Sequence, residues 1–222
     1  MSIEEAYNQF LVKVNKNYKS SNVVASKDRF ITLYNEEQVR RVEFALENKN
    51  DDSIRSIQQF LTTSTPLPAT FIQGNKTSVS LPEDYLEFSS AYCTVSAGEC
   101  DNIRLSLFEI KDFDTEEVLS DVNNSPSLSY REAPFYIGGD AIQVFTEGFT
   151  VNTATVTYYR YPRTVDISGY IHLDNTASTN IGPEGDSAFI NKVISMCAES
   201  FFRNYGDTNQ VTINKDRIQN NN

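Results

Sequence analysis

The chain has 222 residues, 39% of them hydrophobic and 12% aromatic, which is enough to build a sizeable core and excludes a disordered protein. Its net charge is −11, and the acidic excess lies in the later part: residues 1–60 contain nine Lys/Arg and nine Asp/Glu, whereas residues 61–222 contain ten and twenty-one. So acidic a surface repels phosphates, which argues against a protein that holds nucleic acid and favours protein partners.

The cellular context follows from three further features. No run of 18 apolar residues occurs, so no membrane span is predicted. The start, residues 1–5, is acidic and amphipathic where a secretion signal would be basic and then apolar. Cys93, Cys100 and Cys197 are odd in number and fit neither a disulfide framework nor a zinc site, so we interpret them as reduced thiols. We therefore expect synthesis and assembly in the cytoplasm.

The N-terminal part predicts three helices. Ser2 and Glu5 form a capping box in front of a first amphipathic helix over residues 3–18. A second helix covers Lys27–Asn48, and at about 1.5 Å per residue it is a rod of roughly 33 Å. A polar loop that supplies a cap then leads into a short third helix from Ile54.

From residue 66 the periodicity changes to that of strands. Gly74 and Gly139 each lie in a tight-turn signal between two apolar segments, which predicts two hairpins. The last strand places Val156 and Tyr158 on one face, and Pro162 ends it because proline has no amide for a central ladder. The predicted strands cover residues 71–72, 77–81, 87–96, 103–110, 135–137, 141–145 and 155–161.

The C-terminal part predicts a strand-like segment over residues 169–173, then a polar loop and one last helix. This helix starts at Pro183, or at the pair formed by Asp186 and Ser187, and Gly206 ends it. Its apolar stripe is formed by Phe189, Ile190, Val193, Ile194, Cys197, Phe201 and Tyr205. The remaining residues to Asn222 are polar and too poor in apolar groups to order themselves.

These elements predict an α+β fold with a discontinuous organisation. Helices at both chain ends need an apolar partner, and packing them together as a helical bundle is the simplest solution. The bundle would comprise residues 1–65 and 183–206, with an antiparallel β-sandwich or barrel inserted over residues 66–182. Residues 207–222 would form a flexible arm.

One arrangement could in principle carry catalysis. The sequence of Gly185, Asp186 and Ser187 is similar to the nucleophile block of some esterases, but the single histidine, His172, precedes the serine where those enzymes place it later. We therefore interpret Ser187 as a helix cap and His172 as a surface or packing residue. We predict no catalytic residues and no enzyme activity.

An acidic segment could in principle gather a divalent cation. An EF-hand would need glycine at the sixth position and glutamate at the twelfth, where this chain has Glu117 and Asn123. A solvated face of a short helix over residues 114–120 is the favoured interpretation, so we predict no metal site and no cofactor. The acidic side chains are those of Asp112, Asp114, Glu116, Glu117 and Asp121.

Several short stretches, taken in order, form a recognisable pattern. They are Asn35-Glu36-Glu37-Gln38, Leu81-Pro82-Glu83-Asp84-Tyr85, Pro126-Ser127-Leu128-Ser129-Tyr130-Arg131-Glu132 with Gly138-Gly139-Asp140, Tyr158-Tyr159-Arg160-Tyr161-Pro162 with Asp166, and Pro183-Glu184. Together they resemble the head-to-tail adaptor or ring proteins of short-tailed bacteriophages, particularly those of crAss-like gut phages. The resemblance spans about residues 28–205, although the second helix lacks the tryptophan that family members often carry there.

The resemblance implies a structural subunit of a ring below the portal vertex, twelvefold and without catalytic residues. Its partners would be copies of itself, the portal protein and neighbouring tail or ring proteins, and its location the neck or tail of the virion. Double-stranded DNA would pass through the ring without specific binding. We further hypothesise that carboxylates of the β domain face this lumen, and that the arm over residues 207–222 becomes ordered against a neighbour.

Two other interpretations remain open. The twelve tyrosines and the β-rich middle would also suit another virion module, such as a tail-fibre attachment or carbohydrate-binding domain. A hydrolase with an unrecognised site is the third. The mass of the assembled species distinguishes the first two, because a ring subunit forms a large closed oligomer and a glycan-binding module is a monomer.

Overall fold

The computed structural model describes residues 1–15, 25–72, 74–111, 120–121 and 124–204. The chain divides into two compact units, one formed by residues 1–59 with the chain from Pro162 onward, the other by residues 60–161. The predicted boundaries lie after residues 65 and 182, whereas the chain passes from one unit to the other after residues 59 and 161. The loop after Pro162 belongs to the unit with the helices, because its hydrogen bonds go to those helices.

The unit formed by residues 1–59 and the chain from Pro162 onward carries four helices within its described residues. They are α1 (Ile3–Asn15), α2 (Lys27–Asn48), α3 (Asp51–Ile57) and α4 (Ser187–Asn204), and a 3-10 turn, Gln58–Phe60, follows α3. Both α1 and α2 pack against α4. The predicted bounds of α2 are confirmed. None of the helices in these ranges combines the length and the apolar character that crossing a bilayer needs.

Local hydrogen bonds cap the N-terminal ends of α1 and α3. The Ser2 amide donates to the Glu5 carboxylate at 2.8 Å, and the Glu5 amide donates to the Ser2 hydroxyl at 3.1 Å, so the predicted capping box is confirmed. The side chain of Asn50 accepts a hydrogen bond from the Ser53 amide at 2.7 Å at the start of α3. These caps satisfy amides that have no partner within a helix.

Aromatic rings form the centre of the helical unit. Phe10 of α1 lies 5.0 Å from Phe30 of α2 and 5.7 Å from Phe201 of α4, measured between ring centroids. All three side chains are buried. Each ring comes from a different helix, so burying this cluster requires the two ends of the chain to fold together.

The apolar periodicity of α2 predicts that Val39 and Leu46 lie on its buried side, and this prediction needs one correction. Val39 and Leu46 are only half-buried, whereas Glu37 and Gln38 are buried to 2% and 1% exposure. Polar side chains are buried where they find partners, and both of these do. The helix therefore buries a hydrogen-bonding stripe beside its apolar one.

The other unit is built on one curled, mixed sheet that forms a half-barrel. Its order is β1-β9-β5-β6-β7-β8-β4-β3, and β2 also pairs with β9. The two hairpins predicted around Gly74 and Gly139 are present as β3–β4 and β7–β8. The strands are β1 (Leu61–Thr63), β2 (Leu67–Pro68), β3 (Thr70–Ile72), β4 (Lys76–Ser80), β5 (Tyr85–Ala97), β6 (Cys100–Glu109), β7 (Glu132–Gly138), β8 (Ala141–Phe145) and β9 (Thr150–Arg160).

The prediction of a purely antiparallel sheet is wrong at one pairing. Strands β6 and β7 run parallel, with Ser106 opposite Glu132. Neighbouring antiparallel strands need only a tight turn, whereas parallel neighbours need a connection of roughly a dozen residues or more. Here residues 110–131 separate the two strands, which is long enough to return the chain to the end from which β6 starts.

Strand β9 forms the longest strand pairing of the sheet, with β5, and has further strands on its other side. It pairs with β5 along most of its length and with β1 on its other side. Val156 and Tyr158 are buried, as their predicted shared face requires, and the strand stops at Arg160, two residues before Pro162. The predicted end of this strand is therefore confirmed to within one residue.

Several predicted features lie outside the described residues. They include the end of the first helix beyond Asn15, most of the helix predicted over residues 114–120, and the helix stop at Gly206. The arm predicted over residues 207–222 lies there too.

Candidate functional site

The segment that follows β9 is held along α2 by two side-chain amides. The Asn35 Nδ2 donates to the Val165 carbonyl at 3.0 Å, and the Asn35 Oδ1 accepts from the Val165 amide at 2.9 Å. The Gln38 Nε2 donates to the Arg163 carbonyl and to the Asn35 Oδ1, both at 3.0 Å. Positions i and i+3 lie on one helix face, so the two amides act together. We call Asn35 and Gln38 the α2 clamp.

A third residue holds the same segment from the other side. The Glu184 carboxylate accepts a hydrogen bond from the Arg163 amide at 3.0 Å. Val165 and Ile167 are fully buried between these polar contacts. The amides and carbonyls of Arg163 and Val165 are therefore paired while the apolar side chains of Val165 and Ile167 are packed, and both effects restrain the segment.

The carboxylate of Asp166 organises the loop that follows. It accepts hydrogen bonds from the Ile167 amide at 2.8 Å, the Tyr170 hydroxyl at 2.8 Å and the Thr179 amide at 2.7 Å. The His172 Nε2 lies 3.1 Å from its second oxygen. Burial opposes the charge of Asp166, but these hydrogen bonds outweigh burial and lower the pKa of the carboxyl. We call this group the Asp166 hub.

His172 and Tyr170 pack on each other within the hub. Their rings meet edge to face, with centroids 4.9 Å apart, and the His172 side chain is 35% exposed. Burial, followed by the Asp166 hydrogen bond, raises the pKa of the Tyr170 hydroxyl. The prediction of a strand-like segment over residues 169–173 is wrong. This segment joins no strand of the described sheet and forms one isolated bridge, between Ile171 and Ala177. The prediction of His172 as a packing residue agrees with this contact.

The candidate serine is not part of a catalytic arrangement in the described structure. Ser187 is the first residue of α4, and the hydrogen bond of His172 goes to Asp166 instead. The cap of α4 is Asp186, whose carboxylate accepts from the Phe189 amide at 2.7 Å, so assigning the cap to Ser187 was wrong by one residue. The Asp186 amide in turn donates to Gln59 at 2.9 Å.

A buried carboxylate lies where α2 faces α4. Glu37 accepts hydrogen bonds from Arg40, at 2.9 Å, and from the hydroxyl of Ser200. Cys197 lies fully buried nearby, and burial raises the pKa of its thiol. Both partners of Glu37 come from the helices themselves, so this group joins α2 to α4.

The acidic segment that was weighed as a possible cation site cannot be placed, because Asp112, Asp114, Glu116 and Glu117 lie outside the described residues. Within the part of the chain that the structure describes, no three His, Cys, Asp or Glu side chains come together closely enough for a metal ion.

No family model and no curated protein matches this chain. Sequence patterns alone did not single out Asn35, Gln38 or Asp166, which came to notice through the resemblance. The backbone groups that Gln38 and Asn35 hold are 125 and 130 residues away in the sequence, so only folding reveals these two contacts.

Proposed function

We propose that this chain is a structural subunit of a head-to-tail connector ring in a short-tailed bacteriophage. It lies below the portal, forms part of the DNA channel and docks the tail. The ring is assembled in the host cytoplasm and ends in the neck or tail of the virion. The subunit performs no catalysis and needs no cofactor.

One observation carries this proposal: residues in the stretches that resemble connector proteins make internal clamps. Asn35 and Gln38 hold the backbone at Arg163 and Val165, and Glu184 holds it from the other side. A catalytic motif would point its side chains at an open site, whereas these point at the protein's own backbone. Such use of polar groups suits a part that transmits mechanical load.

The sheet unit has an equivalent clamp at the end of β9. The Tyr158 hydroxyl donates to the Asp84 carboxylate at 2.7 Å, and the Tyr161 amide donates to the Asp84 carbonyl at 2.8 Å. Burial and the Asp84 hydrogen bond raise the pKa of Tyr158 to about 12. Both residues lie in the stretches that carry the resemblance, so the chain is fixed on each side of Pro162.

The charge distribution of the sheet unit supports a channel through which DNA slides. Residues 60–161 contain five Lys/Arg and fourteen Asp/Glu. Three of the five cations lie over aromatic rings: Arg104 is 3.6 Å from the centroid of Tyr92, Lys76 stacks on two rings, and Arg160 lies above Phe60. The exposed carboxylates include Glu83, Glu87, Glu99, Asp101, Glu109, Glu132, Asp140 and Glu147.

In the ring, we expect the helices to act as a bundle that packs side by side with copies of itself. The sheet unit acts as the inserted sandwich or barrel module that meets a different ring. Heterologous contacts of this kind close into a ring when the rotation between neighbours is right. The exposed carboxylates of the sheet then repel DNA phosphates and deny them a binding site.

Native mass spectrometry and negative-stain electron microscopy test the proposal. The purified chain, alone or mixed with a portal protein, should form a closed ring of about twelve copies. A species that stays monomeric under both conditions contradicts the proposal. If that monomer binds to a glycan array, the carbohydrate-binding interpretation takes its place.

A second measurement tests the channel. A fluorescently labelled DNA duplex should show no rise in anisotropy when the assembled protein is added at low salt, where phosphate contacts are strongest. Binding that weakens steeply with added salt would show a basic DNA-holding surface, and the sliding channel would then be wrong.

A further inference from the structure

Two large aliphatic side chains project from the loop that the Asp166 hub organises. Ile171 is 71% exposed, and Leu173 is completely exposed at 106%. Single exposed aliphatic residues are common on protein surfaces, but here two lie close together at the end of one loop. We call Ile171 and Leu173 the loop tip.

The loop tip is held in one conformation before any partner arrives. The His172 carbonyl accepts from the Asn175 amide at 3.0 Å, and the His172 amide donates to the Thr176 carbonyl at 2.9 Å, which closes a tight turn around Leu173. The Asp174 carboxylate accepts from the amide and the hydroxyl of Thr176. A rigid tip loses little conformational entropy on binding, so its exposed apolar area is available for association.

A complementary patch lies on α2. Phe44 is 53% exposed, although the other two aromatic residues of α2, Phe30 and Tyr34, are fully buried. Arg40, one helical turn earlier, donates to the buried Glu37 carboxylate and still has a side chain that is 60% exposed. The patch is thus an aromatic ring beside a cation. The loop tip carries aliphatic groups beside Asp174, whose pKa is lowered by the hydrogen bonds from Thr176.

The loop tip lies near the N-terminal end of α2, whereas the patch at Phe44 lies towards its C-terminal end. Lys27, the first residue of α2, donates to the Ser168 carbonyl at 2.7 Å and so ties the loop to the N-terminal end. Phe44 follows seventeen residues later, about 26 Å along the helix at 1.5 Å per residue. One copy therefore presents the aliphatic tip at one end and the aromatic patch towards the other, which is the layout of a head-to-tail contact.

We infer that the loop tip of one copy inserts beside Phe44 of a second copy of this chain. Ile171 and Leu173 cover the exposed ring, and Asp174 pairs with Arg40 at the edge of the contact. This contact rests on the proposed ring, because it supplies the repeating heterologous contact between neighbouring subunits.

Photo-crosslinking tests the contact directly. A photoreactive amino acid replaces Leu173 in an unlabelled copy, which is mixed with a copy labelled with ¹⁵N. Peptide mass spectrometry should find crosslinks between labelled and unlabelled chains that map to residues 40–48. If the crosslinks between chains map to other surfaces, the inferred contact is wrong even though the chain assembles.

Substitutions measure how much the contact contributes. Leu173→Asp and Phe44→Asp should each weaken association about tenfold or more, since a central apolar anchor is replaced by a charge. Val12→Asp is the matched control: Val12 is an aliphatic residue on α1 with 63% exposure, and its substitution should change association less than about twofold. Combining Leu173→Asp with Phe44→Arg should restore association, since the two new charges attract each other.

The outcomes separate this contact from the proposed function. A ring whose assembly is equally insensitive to Leu173→Asp and Val12→Asp retains the proposed function and overturns the contact. A wild-type chain that never assembles, alone or with a portal protein, overturns both. Circular dichroism shows that each variant is folded, and a folded Leu173→Asp variant that remains monomeric supports the contact.

Discussion

The side chain of Asn35 and the backbone of Val165 exchange two hydrogen bonds, at 3.0 Å and 2.9 Å, across 130 residues of sequence. A primary amide carries a donor and an acceptor side by side, so it pairs with a peptide group as a neighbouring strand would. Val165 itself is fully buried, and water cannot replace the lost partners there. This pair holds the segment after β9 in place.

Asn35→Ala should therefore destabilise the protein. The substitution leaves a buried amide and a buried carbonyl of Val165 without partners, at a cost of about 1–3 kcal/mol in the free energy of unfolding. Urea denaturation measures the change, and hydrogen exchange should show faster loss of protection at the Val165 amide. Asn48→Ala on the same helix removes only an exposed contact and should cost less than about 0.5 kcal/mol. Equal effects of the two substitutions would show that the clamp is not needed.

Asp166→Asn should remove a pH-dependent part of the stability. The folded protein lowers the pKa of Asp166, so the stability from its charge is complete above the unfolded pKa of about 4 and is lost as the pH falls through the folded pKa. At neutral pH the variant should lose about 1.5–3 kcal/mol, the range for hydrogen bonds to a charged group. The difference from wild type should shrink in acid.

Urea midpoints over a pH series measure this difference. Asp140→Asn, in the exposed turn between β7 and β8, serves as the control. In the described contacts Asp140 accepts a hydrogen bond through its backbone carbonyl and not through its carboxylate, so this substitution should not change the pH dependence. If the loss caused by Asp166→Asn is the same at every pH, the charge of Asp166 is not what holds the loop.

Gly185→Ala should strain the entry to α4. Gly185 has φ +111°, and an added Cβ would lie 2.7 Å from the Gln59 Nε2 and 3.0 Å from the Phe189 ring. Gln59 cannot move away freely, because it holds the Asp186 amide. We expect a loss of about 1–3 kcal/mol. In contrast, a Cβ added at Gly182 would have no atom within 4 Å. Gly182→Ala should therefore be neutral or slightly stabilising, by up to about 1 kcal/mol.

Thermal melting of the two alanine variants, followed by circular dichroism, gives a direct comparison. A Gly185→Ala variant that melts at or above the Gly182→Ala temperature would show that the backbone at Gly185 relaxes without cost.

The three thiols should differ in reactivity. Cys100 is exposed, whereas Cys93 and Cys197 are buried, and burial raises the pKa of the Cys93 thiol to about 12. Because the thiolate is the reactive form, the native protein should react rapidly with one equivalent of a disulfide reagent such as Ellman's reagent. The unfolded protein should react with three, and Cys100→Ser should abolish the rapid phase. Rapid reaction of a second thiol in native protein would contradict the buried positions.

Much of the fold could be predicted from short-range patterns. Four kinds of feature depend only on residues a few positions apart. They are the bounds of α2, the capping box of Ser2 and Glu5, the turns at Gly74 and Gly139, and the end of β9 before Pro162. Backbone geometry and side-chain periodicity act over that range, so the local sequence is sufficient.

The parallel pairing of β6 with β7 could not be predicted in this way. Local alternation shows that a segment is a strand, but it carries no information about the direction of the neighbouring strand. The boundary of the helical unit was missed for the same reason, since the loop after Pro162 reads as a polar connection until its contacts with Asn35 and Gln38 are seen.

The sequence alone thus shows where helices, strands and turns form, and that the surface is acidic. The folded structure alone shows that Asn35 meets Val165, that Asp166 gathers four donors, and that Leu173 projects into solvent on a rigid turn. The reason is physical: a local pattern depends on neighbours within a few residues, whereas Asn35 and Val165 meet only when segments 130 residues apart come together. The donors to Asp166 converge only once the loop has folded back as far as Thr179.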